Sequence, residues 1–128
     1  MKAKDFTLKV VNEINDNEFE LLDFKPYMSY ESFIGCILGD VEILRPTGVI
    51  DIEYKMIYEN YIIEVEEMIG DKRKYKCVVK YNSSKARFEA KEIRIDIKYI
   101  HQMDILNSLC KLKVIGNIYQ NKDLLRIS

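Results

Sequence analysis

Apolar side chains return at every second position along most of the chain, the period of a strand with one face buried. The pattern is clearest after residue 48. Ile50, Ile52 and Tyr54 alternate with Asp51, Glu53 and Lys55; Tyr61, Ile63 and Val65 alternate with Glu64 and Glu66, and only Ile62 breaks the phase. Tyr75, Cys77, Val79 and Tyr81 alternate with Lys74, Lys76 and Lys80. Gly70-Asp71-Lys72 and Asn82-Ser83-Ser84 read as the turns that join these strands. Beyond Ala86 the phase changes: Phe88 and Ala90 are even, Ile93, Ile95, Ile97 and Tyr99 odd, which predicts a bulge or bend near Lys91-Glu92. Residues 101–109 read as a loop or a helical turn or two. Leu112, Val114 and Ile118 predict a last strand, with Gly116 leaving room for a neighbouring backbone or bulky ring. Leu124 and Leu125 are expected to fold back over the same core.

The first 48 residues read differently. Phe6, Val10, Val11 and Ile14 recur at helical spacing, Asp5 serves as an N-cap and Asn15-Asp16-Asn17 as a stop, which predicts a short amphipathic helix over 5–14. A strand follows from Phe19 to Phe24, ended by Lys25-Pro26, and a hairpin over 33–44 turns at Gly39-Asp40. Arg45-Pro46-Thr47-Gly48 is the strongest breaker and the expected seam. The fold class is therefore α+β, mostly β, with a helix-and-meander lobe over 1–48 and a β lobe over 49–128.

Composition narrows the function more than the fold. Twenty basic against 21 acidic residues leave a net charge of -1, without the cationic excess by which nucleic-acid binders displace counterions. Cys36, Cys77 and Cys110 are far apart and unpaired in spacing, which argues against a disulfide framework. With one histidine besides, nothing stands at ligand spacing, so neither metal nor cofactor is expected. No apolar run reaches membrane-spanning length, and a cytoplasmic location is expected.

Val114-Ile115-Gly116-Asn117-Ile118-Tyr119-Gln120-Asn121, followed by Leu124-Leu125, closely resembles the closing V-I-G-N-I-Y-E-N-P-E-L-L signature of the YopX family of phage and prophage proteins. Ile57-Tyr58-Glu59 with Ile62-Ile63 resembles that family's I-Y-E-G-D-I-V segment, and the similarity runs from about Tyr54 to Leu125. Asn60-Tyr61 stands where the family has Gly-Asp, and Lys122 where it has Pro. The resemblance implies an SH3-like, partly open barrel encoded by a phage or prophage, and no established activity. The order Phe6, Glu18 to Leu22, Cys36, Gly39 and Arg45-Pro46 is also similar to a zinc-binding module found beside phage nucleases. Only one of its metal cysteines has a counterpart here, Cys36, so the zinc chemistry does not carry over.

The chemistry-bearing residues each have a plain structural reading. His101 and Asp104 could share a helical face as an acid–base pair with Cys110 as nucleophile, but no third group orients them. Glu64, Glu66 and Glu67 fall on exposed strand positions, where two carboxylates would titrate alike rather than divide acid from base. Lys72, Arg73, Lys74, Lys76 and Lys80, interleaved with Tyr75 and Tyr81, form the candidate nucleic-acid face. Lysines and tyrosines of one strand point to opposite sides, so a ladder against Glu64 and Glu66 is the better reading. Its register requires partner numbers with an even sum, placing Glu66 opposite Lys74 or Lys76. Tyr58, Glu59, Asn117 and Tyr119, from the two family-like segments, are the candidate binding surface. The expected function is that of a non-enzymatic accessory protein acting by binding a host or phage protein. Sheet edges that invite self-pairing make a homo-oligomer a further expectation.

Overall fold

A computed structural model of the chain describes residues 8–24, 42–93, 102–105 and 109–125. The chain divides into two compact units, Met1–Pro46 and Thr47–Ser128.

In the first unit, strand β1 (Leu8–Asn15) pairs antiparallel with β2 (Glu18–Phe24) and, on its other side, with β3 (Glu42–Leu44). This overturns the helix expected over 5–14. The apolar residues at helical spacing also fit a strand: adjacent Val10 and Val11 are both buried, while Ile14, which the helix would have turned inward, is 54% exposed. β-branched valines suit a pleated surface with neighbours on both sides. The helix stop is a hairpin turn, with Asn17 in the left-handed region at φ 65°, a conformation asparagine tolerates. Lys9 pairs with Asp23, and Asn12 Nδ2 donates to Glu20 Oε1 at 2.8 Å, each across the β1–β2 ladder. Of the hairpin expected over 33–44, residues 33–41, with Cys36, lie outside the described residues, and Glu42–Leu44 is the strand β3 that pairs with β1.

The second unit is built on β6 (Tyr61–Glu67) and β7 (Lys74–Asn82), the two strands whose alternation is cleanest. They pair as Ile63 with Cys77, Val65 with Tyr75, Glu64 with Lys76 and Glu66 with Lys74, the even-sum register. β8 (Arg87–Glu92), β9 (Gln102–Asp104) and β10 (Cys110–Asn117) complete an antiparallel sheet of order β10-β6-β7-β8-β9. The sheet is open, and the described strands close no barrel. β9 occupies the stretch read as a loop or helical turn. The bulge or bend expected near Lys91-Glu92 is not there: β8 keeps regular register with β7 through Glu92 and with β9 through Lys91, because each strand finds an unbroken ladder on that side. His101, Ile95, Ile97 and Tyr99 lie outside the described residues. One face carries the core: Ile63, Val65, Cys77, Val79, Ala90, Met103, Ile105 and Leu112. Ile57 and the partly buried Val49 bring against it the two-stranded sheet of β4 (Pro46–Ile50) and β5 (Met56–Tyr58). Thr47 fastens that pair, its Oγ1 donating to Ile57 O at 2.8 Å.

Two further expectations fail. Residues 51–55 are a turn, not the strand their alternation predicts, and Asp51 is buried while Ile50, Ile52 and Tyr54 are 50%, 53% and 83% exposed. Leu124 and Leu125 lie in a 3-10 turn (Lys122–Leu125) with no buried residue, so they do not cap the core.

Candidate functional site

Three polar side chains inside the second unit hold its irregular parts. Asp51 Oδ1 accepts from the N–H groups of Glu53 at 2.9 Å and Lys55 at 2.8 Å, and Oδ2 accepts from Val114 N–H at 3.0 Å. Ile52 N–H donates to Leu112 O at 2.9 Å, which fastens the 51–55 turn along β10. Burial alone would raise the Asp51 carboxyl, but the N–H donors of Val114, Lys55 and Glu53 outweigh it and hold it below the usual aspartate value. A carboxylate satisfied this way competes with a strand ladder for the same backbone donors. The turn also holds Tyr54 at φ 63°, a left-handed conformation that costs a bulky residue roughly 1 kcal/mol or more.

Asn60, in the turn between β5 and β6, is 5% exposed and sits at φ 66°. Where the family has glycine, asparagine takes the left-handed backbone that glycine would adopt freely. Its side chain adds what glycine lacks, donating to Tyr119 Oη at 2.8 Å and accepting from Lys80 Nζ at 2.7 Å. Its carbonyl accepts from Ile118 N–H at 3.1 Å, so the two family-like segments meet here. The proposed quartet is thereby divided. Tyr58 and Asn117 are buried, whereas Glu59 and Tyr119 are half-buried. Asn117 Oδ1 accepts from the N–H groups of Tyr119 and Gln120, and its Nδ2 donates to Gln120 Oε1, which uses the side chain to close the terminal turn. Asn121 Oδ1 accepts from Asn117 N–H, and the space at Gly116 is filled by the Asn121 side chain, 2.6 Å from where a Cβ would stand.

Glu89 is fully buried, accepting from Asn82 Nδ2 at 2.8 Å and from Arg87 Nε and Nη2 at 2.9 and 2.7 Å. The Asn82 and Arg87 bonds hold its carboxyl below the usual glutamate value, against desolvation. Arg87 and Glu89 lie two apart on one strand, and Asn82 stands opposite Arg87. That spacing was the signal in the sequence, and an alternation reading passes over it because all three positions are merely polar.

The nucleophile candidate Cys110 and its neighbour Cys77 both have raised thiol pKa values. Burial pushes the Cys77 thiol up to about 12, helped by Glu92 and Cys110. Burial also raises Cys110, with Glu67 adding to it. Such thiols are poor nucleophiles, since the thiolate is the reactive form. Cys110 Sγ instead donates to Met103 Sδ at 3.9 Å. Asp104 lies 3.6 Å from Arg87 Nη1, and its partner candidate His101 is outside the described residues. Among the described residues no group of His, Cys, Asp and Glu side chains gathers as a metal site would, and no helix is long and apolar enough to cross a membrane.

The five cations of the candidate nucleic-acid face are dispersed. Lys72 is in the turn at φ 52°. Arg73 lies 3.7 Å from both Glu67 and Glu92 and stacks over the Tyr75 ring at 4.9 Å. Lys74 and Lys76 stand opposite Glu66 and Glu64, and Lys80 is bound to Asn60. What the outer face does present is a groove of about 170 Å³ lined by Ile52, Glu64, Glu66, Lys74, Lys111 and Lys113. At the far end of β6 and β10, Met68, Ile69 and Leu109 are 43%, 61% and 52% exposed, Met68 N–H donating to Leu109 O at 2.9 Å.

Among curated proteins none matches the chain. A family model described as YopX protein matches residues 3–126, reaching well before Tyr54, where the resemblance of the two motifs begins, and the chain belongs to the YopX family.

Proposed function

We propose that this chain is a non-enzymatic accessory protein of a phage or prophage that works by binding another protein, of the phage or of its host. The observation that carries the reading is the patch of Met68, Ile69 and Leu109. These three large apolar residues are exposed where β6 and β10 end, and the backbone hydrogen bond from Met68 N–H to Leu109 O holds the two strand ends together. Clustered apolar exposure of this kind marks contact surfaces more often than scattered single residues do, and methionine adapts to a partner's contour. Thiols with raised pKa values and an Asp51 carboxylate spent on backbone N–H groups support binding over catalysis. An SH3-like relationship of the open sheet, as the family resemblance implies, belongs to the same proposal.

The test is affinity capture from host lysate with the wild-type chain and with an Ile69→Asp/Leu109→Asp variant. A protein retained by the wild type and lost by the variant supports the reading. Equal capture by both removes the patch from it. A steeply salt-dependent shift of random DNA or RNA would favour the nucleic-acid alternative instead.

A further inference from the structure

We propose that the outer face of β10, β6 and β7, with the 51–55 turn beside it, docks a second copy of this chain. The register lays two rows of charge across the three strands, Lys111–Glu66–Lys74 and Lys113–Glu64–Lys76. Each glutamate thus stands between two lysines. Lys113 lies 3.7 Å from Glu53. Among the described residues, Glu64, Glu66, Lys74, Lys76 and Lys111 close no ion pair within the chain. Charges of both signs therefore remain open on one face.

That pattern selects its occupant. A nucleic-acid backbone or an acidic peptide would gain the lysines but press its own charge onto Glu64 and Glu66, and like charges juxtaposed at an interface are strongly disfavoured. A face with both signs at the strand spacing of roughly 4.8 Å is met by a face built the same way, and this chain carries one. Turned over about a two-fold axis running between β10 and β6, Lys111 of each copy comes opposite Glu66 of the other, and Lys113 opposite Glu64. Such an arrangement is isologous, each contact occurring twice.

The turn supplies what charge pairs lack. Leu112 O and Val114 N–H point away from β6 to bind Ile52 and Asp51, so the turn runs along the free side of β10. The same rotation carries it over Lys74 and Lys76 of the other copy. There the Tyr54 ring, 83% exposed, meets an ammonium group, and Ile52, 53% exposed, covers lysine methylenes. The Asp51 bonds fix the turn beforehand, so little order is lost on docking. The charge rows set the register and the turn adds the apolar burial.

Sedimentation velocity of the full chain, from micromolar to submillimolar concentration, tests this. A dimer that forms with concentration and weakens with added salt is expected. Glu66→Lys and Lys111→Glu, each alone, should weaken it by about tenfold or more, because each sets like charges opposite. Mixed in equal amounts the two variants should recover the dimer, since every opposed pair is then Lys with Glu. Tyr54→Ala should weaken it with the charges intact. Circular dichroism melts establish that the variants fold, and the salt dependence of the wild type stands without them. A wild-type monomer at every concentration, a dimer indifferent to all three substitutions, or no recovery on mixing overturns the proposal. So does a single-stranded oligonucleotide that binds this face and is held more tightly by Glu66→Lys.

Discussion

Residues 50–55 and 61–66 look alike on paper and fold as opposites. Both alternate a large apolar residue with a charged one, Ile62 alone breaking the phase in the second. In β6 the apolar positions are inside, Ile63 and Val65 being fully buried, and the glutamates face out. In the 51–55 turn the carboxylate is inside and Ile52 and Tyr54 are in water. The difference lies in where the backbone N–H groups find acceptors. β6 has a strand on each side, whereas the turn has Asp51, which accepts N–H groups from two and four residues ahead and a third from β10. Period two is thus necessary for a half-buried strand but does not identify one, because a short polar side chain can take the ladder's place.

The sharpest way to break the comparison is to truncate the matching apolar residue in each region. Ile63→Ala should lower stability by about 2–5 kcal/mol, since it opens a cavity in a packed core, whereas Ile52→Ala should stay within about 0.5 kcal/mol. Urea denaturation reads both, and comparable losses would mean that the turn is packed like the strand.

Asp51→Ala should cost about 1–3 kcal/mol, the penalty of stranding buried N–H groups. Asp51→Asn, which keeps one acceptor, should fall between. The sign of the pH effect follows from the lowered carboxyl. Its contribution is complete above the ordinary aspartate pKa and is lost as pH falls through the lower value it has in the folded chain. Denaturation midpoints through that acid range should therefore drop less in Asp51→Asn than in the wild type.

Gly116→Ala comes next, at about 1–3 kcal/mol by overpacking, because its Cβ would displace the Asn121 side chain that accepts from Asn117 N–H. Gly116→Ala combined with Asn121→Gly should recover the part due to the clash and leave the lost hydrogen bond. Smallest is Glu66→Lys, at under about 1 kcal/mol in the monomer, a half-buried position on the solvent side of the sheet with no ion pair to lose among the described residues. A thermal melt at low protein concentration measures it apart from any association.

The strand pairing is legible where alternation, a glycine turn and opposite charges agree, as in the β6–β7 register, and where a turn asparagine stands between two alternating runs, as at Asn82-Ser83-Ser84. Asn82 Oδ1 receives the N–H groups of Ser84 and Lys85, as a turn asparagine should. β1 is ambiguous in the sequence because Val10 and Val11 satisfy either period; what decides is a partner on each side, β2 through the tight turn at Asp16-Asn17 and β3 from 27 or more residues further along the chain. The family segments were legible as a signature, but reading Tyr58 and Asn117 as surface confused a matched motif with an exposed one. Asn60 departs visibly from the family's glycine, yet its bonds to Tyr119 and Lys80 span 59 and 20 residues. No local pattern could foresee them.

The seal that the 51–55 turn places along β10 has a consequence for assembly size. An uncovered edge strand templates another strand, whose own far edge is again open, so growth by that route has no built-in end. Along β10 the groups that would start such growth, Leu112 O and Val114 N–H, are already bound to Ile52 and Asp51. Association through the face of the sheet consumes the surface that made it and stops at two. A single aspartate thereby separates a finite complex from an open-ended polymer on that side of the molecule.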